Sequence, residues 1–229
     1  MPNSKSEQKE LRKKMGKKED RAEQHEYRDD DDDDSPKNRR VYLFGRLENE
    51  IALPVIKRIL KLNDRNSRKP IDLIINSAGG NGYNADAIIA TMSQISAPVN
   101  TICTGHALSG ACEVLASGTG KRMAYEYATL MFHQTLWEAD GDITNLEIQA
   151  RQGQRFRDAQ IELLSRCTGK DEKTIRKDIE RDFYMSSREA LEYGIIDEVI
   201  RLRRVDGASS HNTLVKPAAA RKKAAAYRR

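Results

Sequence analysis

The sequence predicts an α/β domain with a mainly parallel sheet and flanking helices. Three observations predict it. Short apolar runs alternate with segments of helical period, the pattern of β–α–β units. Two small-residue turns, Ser77-Ala78-Gly79-Gly80 and Gly105-His106-Ala107-Leu108-Ser109-Gly110-Ala111, follow apolar runs, at the carboxyl ends of strands where such folds gather their chemistry. The length of 229 residues suits one ordinary domain with tails.

The elements follow in order. Residues 1–38 are poor in apolar side chains and close on six aspartates, Asp29 to Asp34, then Ser35-Pro36. They read as a disordered charged arm or a propeptide. The domain spans 39–200. Residues 41–44 form a short strand stopped by Gly45. Residues 50–62 carry Ile51, Val55, Ile56, Ile59 and Leu60 at helical spacing, with Pro54 in the first turn. Residues 70–76 are a buried strand, 84–95 a helix and 99–103 the next strand, ending at Gly105. The run 112–116 reads as a buried apolar helix behind Ser109. Residues 130–133 form another strand. One long helix, 143–167, stops at Gly169; its apolar stripe is broken, which suggests packing on another chain. A charged helix covers 173–181. Ser186 with Glu189 three residues on is a capping box opening a helix to Tyr193. Residues 195–200 close the domain. Beyond them the Ala-, Lys- and Arg-rich tail, 201–229, has no core pattern.

Charge is unevenly distributed. Residues 1–40 balance 12 Lys/Arg against 12 Asp/Glu, and residues 201–229 carry nine against Asp206 alone. The tail's +8 exceeds the chain's +5, so residues 41–200 carry −3. The basic balance therefore says little about the folded part, and no specific nucleic-acid partner is expected. No apolar run approaches the roughly 18 residues of a membrane span. The first residues lack the apolar core of a secretory signal, so a cytoplasmic setting is expected. Cys103, Cys112 and Cys167 have no metal-ligand spacing and read as small apolar residues in a reduced compartment. No phosphate loop is legible, so neither a metal nor a cofactor is expected.

Ser109 lies where a strand turns into a helix. A serine there can simply cap the helix; it can also be a nucleophile whose oxyanion meets backbone N–H groups. His133 ends an apolar strand, and Asp182 lies at a helix-to-strand junction. Together they supply hydroxyl, base and orienting carboxylate. Glycine turns let N–H groups approach an oxyanion because no Cβ intervenes.

Several blocks resemble ClpP, the proteolytic subunit of Clp-type serine proteases. They are Ile75-Asn76-Ser77-Ala78-Gly79-Gly80, Thr101-Ile102-Cys103-Thr104-Gly105, Ser109, Gly120-Lys121-Arg122, Met131-Phe132-His133-Gln134, Thr168-Gly169, Glu180-Arg181-Asp182-Phe183-Tyr184-Met185-Ser186 and Glu192-Tyr193-Gly194-Ile195-Ile196-Asp197. The resemblance spans about residues 41–200. It implies a ClpP/crotonase-like fold with a strand-helix handle at about 134–166, and a Ser-His-Asp peptidase. Ser109 matches the nucleophile, His133 the base and Asp182 the carboxylate. Gly80 and Gly110 match the backbone oxyanion donors. It further implies a homo-oligomer, a heptameric ring or double ring, taking unfolded proteins or peptides. An AAA+ unfoldase partner would be the only user of ATP.

The chain also departs from that pattern. Ala78 and Gly110 stand where the family usually has proline and methionine, and the Gly-rich segment after the histidine is Leu136-Trp137-Glu138-Ala139. Asp72, Ile74 and Gln94 occupy positions that help dock the ATPase ring, so that pocket looks eroded. A divergent, virus-encoded or accessory member that bypasses the standard ATPase is the expectation. The alternatives are a catalytically silent assembly subunit and a standalone capsid-maturation or processing protease. A crotonase-type acyl-CoA enzyme would use glutamates as acid and base, and a Ser–Lys peptidase needs a lysine base.

Overall fold

The structure is a computed structural model that describes residues 38–202. The expected arm and tail lie almost wholly outside these residues. Seven strands and six helices follow the expected alternation: β1 Arg40–Phe44, α1 Asn49–Arg65, β2 Ile71–Ser77, α2 Gly82–Gln94, β3 Val99–Leu108, α3 Gly110–Ala116, β4 Arg122–Tyr125, β5 Thr129–Phe132, α4 Ile143–Thr168, α5 Glu172–Asp178, β6 Phe183–Ser186, α6 Ser187–Tyr193 and β7 Glu198–Ile200.

The strands form one sheet in the order β1-β2-β3-β4-β7, with β5 also paired to β3. Every pairing is parallel except β5 with β6. The strands alternate in burial. Val41, Leu43, Leu73, Ile75, Val99 and Cys103 are wholly buried on the inner face. There α1 packs on β1 and β2, α3 packs on β2 to β5, and α2 bridges α1 and α3. Each large side chain removed from water contributes about 1.5–3 kcal/mol. On the other face Tyr42 and Phe44 stay close to half exposed, with their rings edge to face.

Two details of the sheet build the site. Strand β3 does not stop at Gly105, as the sequence suggests; it runs on to Leu108. A Cβ on Gly105 would lie 2.5 Å from Asn76 Oδ1, and that oxygen accepts from the His106 N–H at 3.2 Å. Glycine here lets the Asn76 side chain patch the ladder where the register shifts between Ile75 and Ser77. The strand then changes neighbours. Thr101 to Cys103 pair with β4, and His106 to Leu108 pair with β5. β4 itself, Arg-Met-Ala-Tyr, has no alternation and is not visible in the sequence pattern.

Arg122 locks this half of the domain. Its guanidinium donates to both Asp197 oxygens at 2.7 and 3.1 Å and to the Cys167 carbonyl at 2.9 Å. Burial would raise the Asp197 carboxyl, but the hydrogen bonds and charge of Arg122 outweigh it and hold the group below the ordinary carboxylate range. The expected capping box at Ser186 and Glu189 is present.

The long helix α4 ends at Gly169 as expected. Of its side chains only Gln160, Ile161 and Leu164 are buried. Its first turns expose Ile143, Leu146 and Ile148. The stretch between β5 and α4 has no strand, so where a strand-helix handle was expected at about 134–166 the chain has a segment without regular structure and a helix. A strand needs a neighbour's edge for its N–H and C=O groups, and the lone chain offers none there.

Candidate active site

The turn that carries Ser109 is built by conflict between two regular elements. Strand β3 ends at Leu108 and α3 begins at Gly110, leaving Ser109 to make the whole change of direction. It does so at φ 53°, the one non-glycine residue with positive φ among the described residues. Such a backbone costs about 1–3 kcal/mol and persists only where the surroundings impose it. Here the Ser109 N–H donates to the Met131 carbonyl at 2.8 Å. Its hydroxyl makes no capping bond to α3. Instead Oγ lies 2.8 Å from His133 Nε2. The simple helix-cap role is thereby excluded.

His133 and Asp182 meet through the antiparallel pair. Phe132 of β5 is in register with Phe183 of β6. The next residue on one strand and the preceding residue on the other therefore lie side by side. The rings of Phe132, Phe183 and Tyr193 pack with centroids 5.3–5.5 Å apart and fix that register from behind. The Gln134 N–H donates to the Ile179 carbonyl at 2.7 Å, tying the histidine's strand to the loop that carries the carboxylate. His133 Nδ1 is 3.5 Å from Asp182 Oδ1, an ion-pair distance longer than a hydrogen bond. The Asp182 side chain is 57% exposed, against 16% for His133.

The glycine turn lies against the serine. Gly79 has φ 79°, and a Cβ there would lie 2.5 Å from the Leu108 carbonyl and 2.8 Å from Ser109 Cβ. Gly80 has φ 151° and would strike the Leu47 backbone at 2.8 Å. No larger residue could hold these N–H groups so near the hydroxyl. The Gly80 and Gly110 N–H groups have no acceptor among the described residues. Gly110, which stands where the resembling family carries methionine, is packed tight: a Cβ would already lie 3.2 Å from Ala85 Cβ and 3.3 Å from Leu47 Cδ1.

The cleft over these groups has a volume of about 420 Å³. Leu136, Trp137 and Phe156 form one wall, so the segment that departs from the family pattern does face the site. Sequence reasoning missed two residues here. Glu113, read within an apolar run, reaches the cleft, as does Gln160 from α4. Gln160 Nε2 donates to Glu113 Oε1 at 2.6 Å and to the His133 carbonyl at 2.9 Å. Burial pushes the Glu113 carboxyl up to about 7; the bond from Gln160 opposes the rise and the charge of Asp86 adds to it. The available signal was a lone carboxylate one turn beyond Ser109 in an otherwise apolar helix. Burial also pushes the Cys103 thiol up to about 12 and the Cys112 thiol higher, so both are inert packing groups. No cluster of three or more His, Cys, Asp or Glu arranged to hold a metal occurs among the described residues, and no described helix is long and apolar enough to cross a membrane.

Comparison with known proteins agrees with this architecture. The family model described as Clp protease matches residues 23–203. The chain is 41% identical over 169 residues to ATP-dependent Clp protease proteolytic subunit 2 of Frankia casuarinae, covering 73% of this chain and 78% of the relative. It is 38% identical over 164 residues to ATP-dependent Clp protease proteolytic subunit 1 of Rhodopirellula baltica, covering 71% and 72%. With a mainly parallel sheet that brings Ser109 and His133 to one cleft and Asp182 beside the histidine, and these relatives over most of its length, the chain belongs to the Clp protease family of serine peptidases.

Proposed function

We propose that Ser109, His133 and Asp182 hydrolyse peptide bonds as nucleophile, general base and orienting carboxylate, with the Gly80 and Gly110 N–H groups as oxyanion donors. The observation that carries this reading is the 2.8 Å contact between Ser109 Oγ and His133 Nε2, made by a serine whose backbone is strained toward it. His133 Nε2 takes the hydroxyl proton as Oγ attacks the scissile carbonyl. The resulting oxyanion accepts hydrogen bonds from the two glycine N–H groups. His133 then returns the proton to the leaving amine, and water hydrolyses the acyl-serine by the same proton route. Asp182 holds the Nδ1–H tautomer and stabilises the imidazolium. The Asp182 contact tightens when substrate or assembly closes the loop, because catalytic hydrogen bonds are commonly long in the free state.

The working form is a homo-oligomeric ring in the cytoplasm. The exposed apolar residues of α4, Ile143, Leu146 and Ile148, support assembly, as do Tyr42 and Phe44 on the uncovered sheet face. An ATP-dependent unfoldase would supply unfolded chains, as the relatives' names suggest. Its docking face would have to accommodate Asp72, which accepts from Asn100 Nδ2 at 2.8 Å beside the Tyr42–Phe44 pair. The test is hydrolysis of a panel of fluorogenic peptides by the full-length protein beside Ser109→Ala. Cleavage by the parent, reduced at least about 10⁴-fold in the variant, is expected. Equal cleavage by both proteins would overturn the assignment.

A further inference from the structure

The peptidase reading leaves one group in the cleft without a role. Glu113 of α3 is four residues beyond Ser109 in the chain and lines the same cleft. A peptide whose carbonyl carbon reaches Ser109 Oγ lays its adjoining side chain in that cleft. The carboxylate is 5% exposed, and its small exposed part opens on the cleft. Oε1 accepts from Gln160 Nε2, whose own carbonyl accepts from the Thr135 hydroxyl at 3.2 Å. The carboxylate is thus held by an amide that is itself held. Oε2 has no hydrogen-bond donor among the described residues.

We propose that Glu113, steadied by Gln160, forms the floor of a side-chain pocket that selects peptides with Lys or Arg on the acyl side of the scissile bond. The inference rests on the peptidase reading and adds the substrate class. An apolar side chain entering this pocket would strip water from Oε2 and supply no donor, leaving a buried acceptor unsatisfied. A guanidinium or ammonium supplies both the donor and the opposite charge, and a desolvated charge pair with good hydrogen bonds is strongly discriminating.

The charged surroundings favour a cation. Asp86 on α2 faces Glu113 and adds negative potential. Cys112 on α3 and Cys167 on α4 lie near, and burial keeps both thiols protonated. His133 lines the same cleft, and Arg46 stands at its rim, 3.7 Å from Glu48. With a carboxyl raised by burial, the selectivity is present when Glu113 is ionised and fades as pH falls through about 7.

The experiment uses the full-length protein and two fluorogenic peptides identical except for Arg or Leu before the scissile amide. The reading is the ratio of their kcat/KM values at about pH 8.5 and about pH 6, so that any pH dependence of the chemical step common to both substrates cancels. The expected ratio favours Arg by about tenfold or more at the higher pH and shrinks several-fold at the lower. Glu113→Gln, which keeps an acceptor for Gln160, should bring the ratio near one at both pH values, and Glu113→Leu should reverse it. A parent ratio at or below one, or a ratio that Glu113→Gln leaves intact, overturns this inference while leaving the peptidase reading standing. Cleavage of neither peptide overturns the peptidase reading and this inference with it.

Discussion

The two halves of the site are held in different ways. Gly79 and Gly80 are packed tight beside Ser109, where a single added methyl would collide with the Leu108 carbonyl or the Leu47 backbone. Asp182 is more than half exposed and is 3.5 Å from the histidine it would orient. His133 joins the two, with Nε2 toward the half-buried serine and Nδ1 toward the exposed carboxylate. Folding of one chain therefore fixes Ser109 and the glycine turn against it, whereas Asp182 depends on a surface loop.

The largest effect that sharpens this comparison is on the exposed side. Asp182→Asn should lower kcat by roughly 10²–10⁴-fold through the wrong imidazole tautomer. Its melting temperature should stay close to the parent's, because an exposed loop carboxylate contributes under about 0.5 kcal/mol to stability. A melting temperature many degrees lower would show that Asp182 is part of the core framework after all. On the buried side Gly79→Ala should behave oppositely. It forces a Cβ into the Leu108 carbonyl at positive φ, so denaturant unfolding should show a loss of about 2–4 kcal/mol together with loss of activity. Parent-like stability would mean the turn has room that the contacts deny. The smallest effect concerns the nucleophile's strain. Ser109→Gly should be about 1 kcal/mol more stable than Ser109→Ala, since only glycine relaxes at φ 53°, with both variants inactive. Equal stability would remove backbone strain from the account.

Much of the buried half was legible in the sequence. Strand β2 ending at Ser77-Ala78-Gly79-Gly80, and Ser109 between an apolar run and a helix, are local signals, and local chemistry sets them. The meeting of His133 and Asp182 was legible only through family resemblance, since it depends on the Phe132–Phe183 register across a long gap in sequence. Strand β4 was hidden because Arg122-Met123-Ala124-Tyr125 is recruited by Arg122–Asp197 bonding and by β3 and β7, not by its own pattern. The continuation of β3 past Gly105 was hidden because a side chain of another strand, Asn76, completes it. Glu113 was overlooked because a carboxylate in an apolar helix makes sense only when Gln160, from a distant helix, is beside it.

The central claim is that Ser109 is a nucleophile activated by His133. The most direct test is reaction of the full-length protein with a fluorophosphonate, whose phosphorus is attacked by an activated hydroxyl oxygen with loss of fluoride, followed by mapping of the adduct. A single adduct on Ser109 that His133→Ala abolishes is the expected result. An adduct on another serine, or labelling of Ser109 that persists without His133, would contradict it.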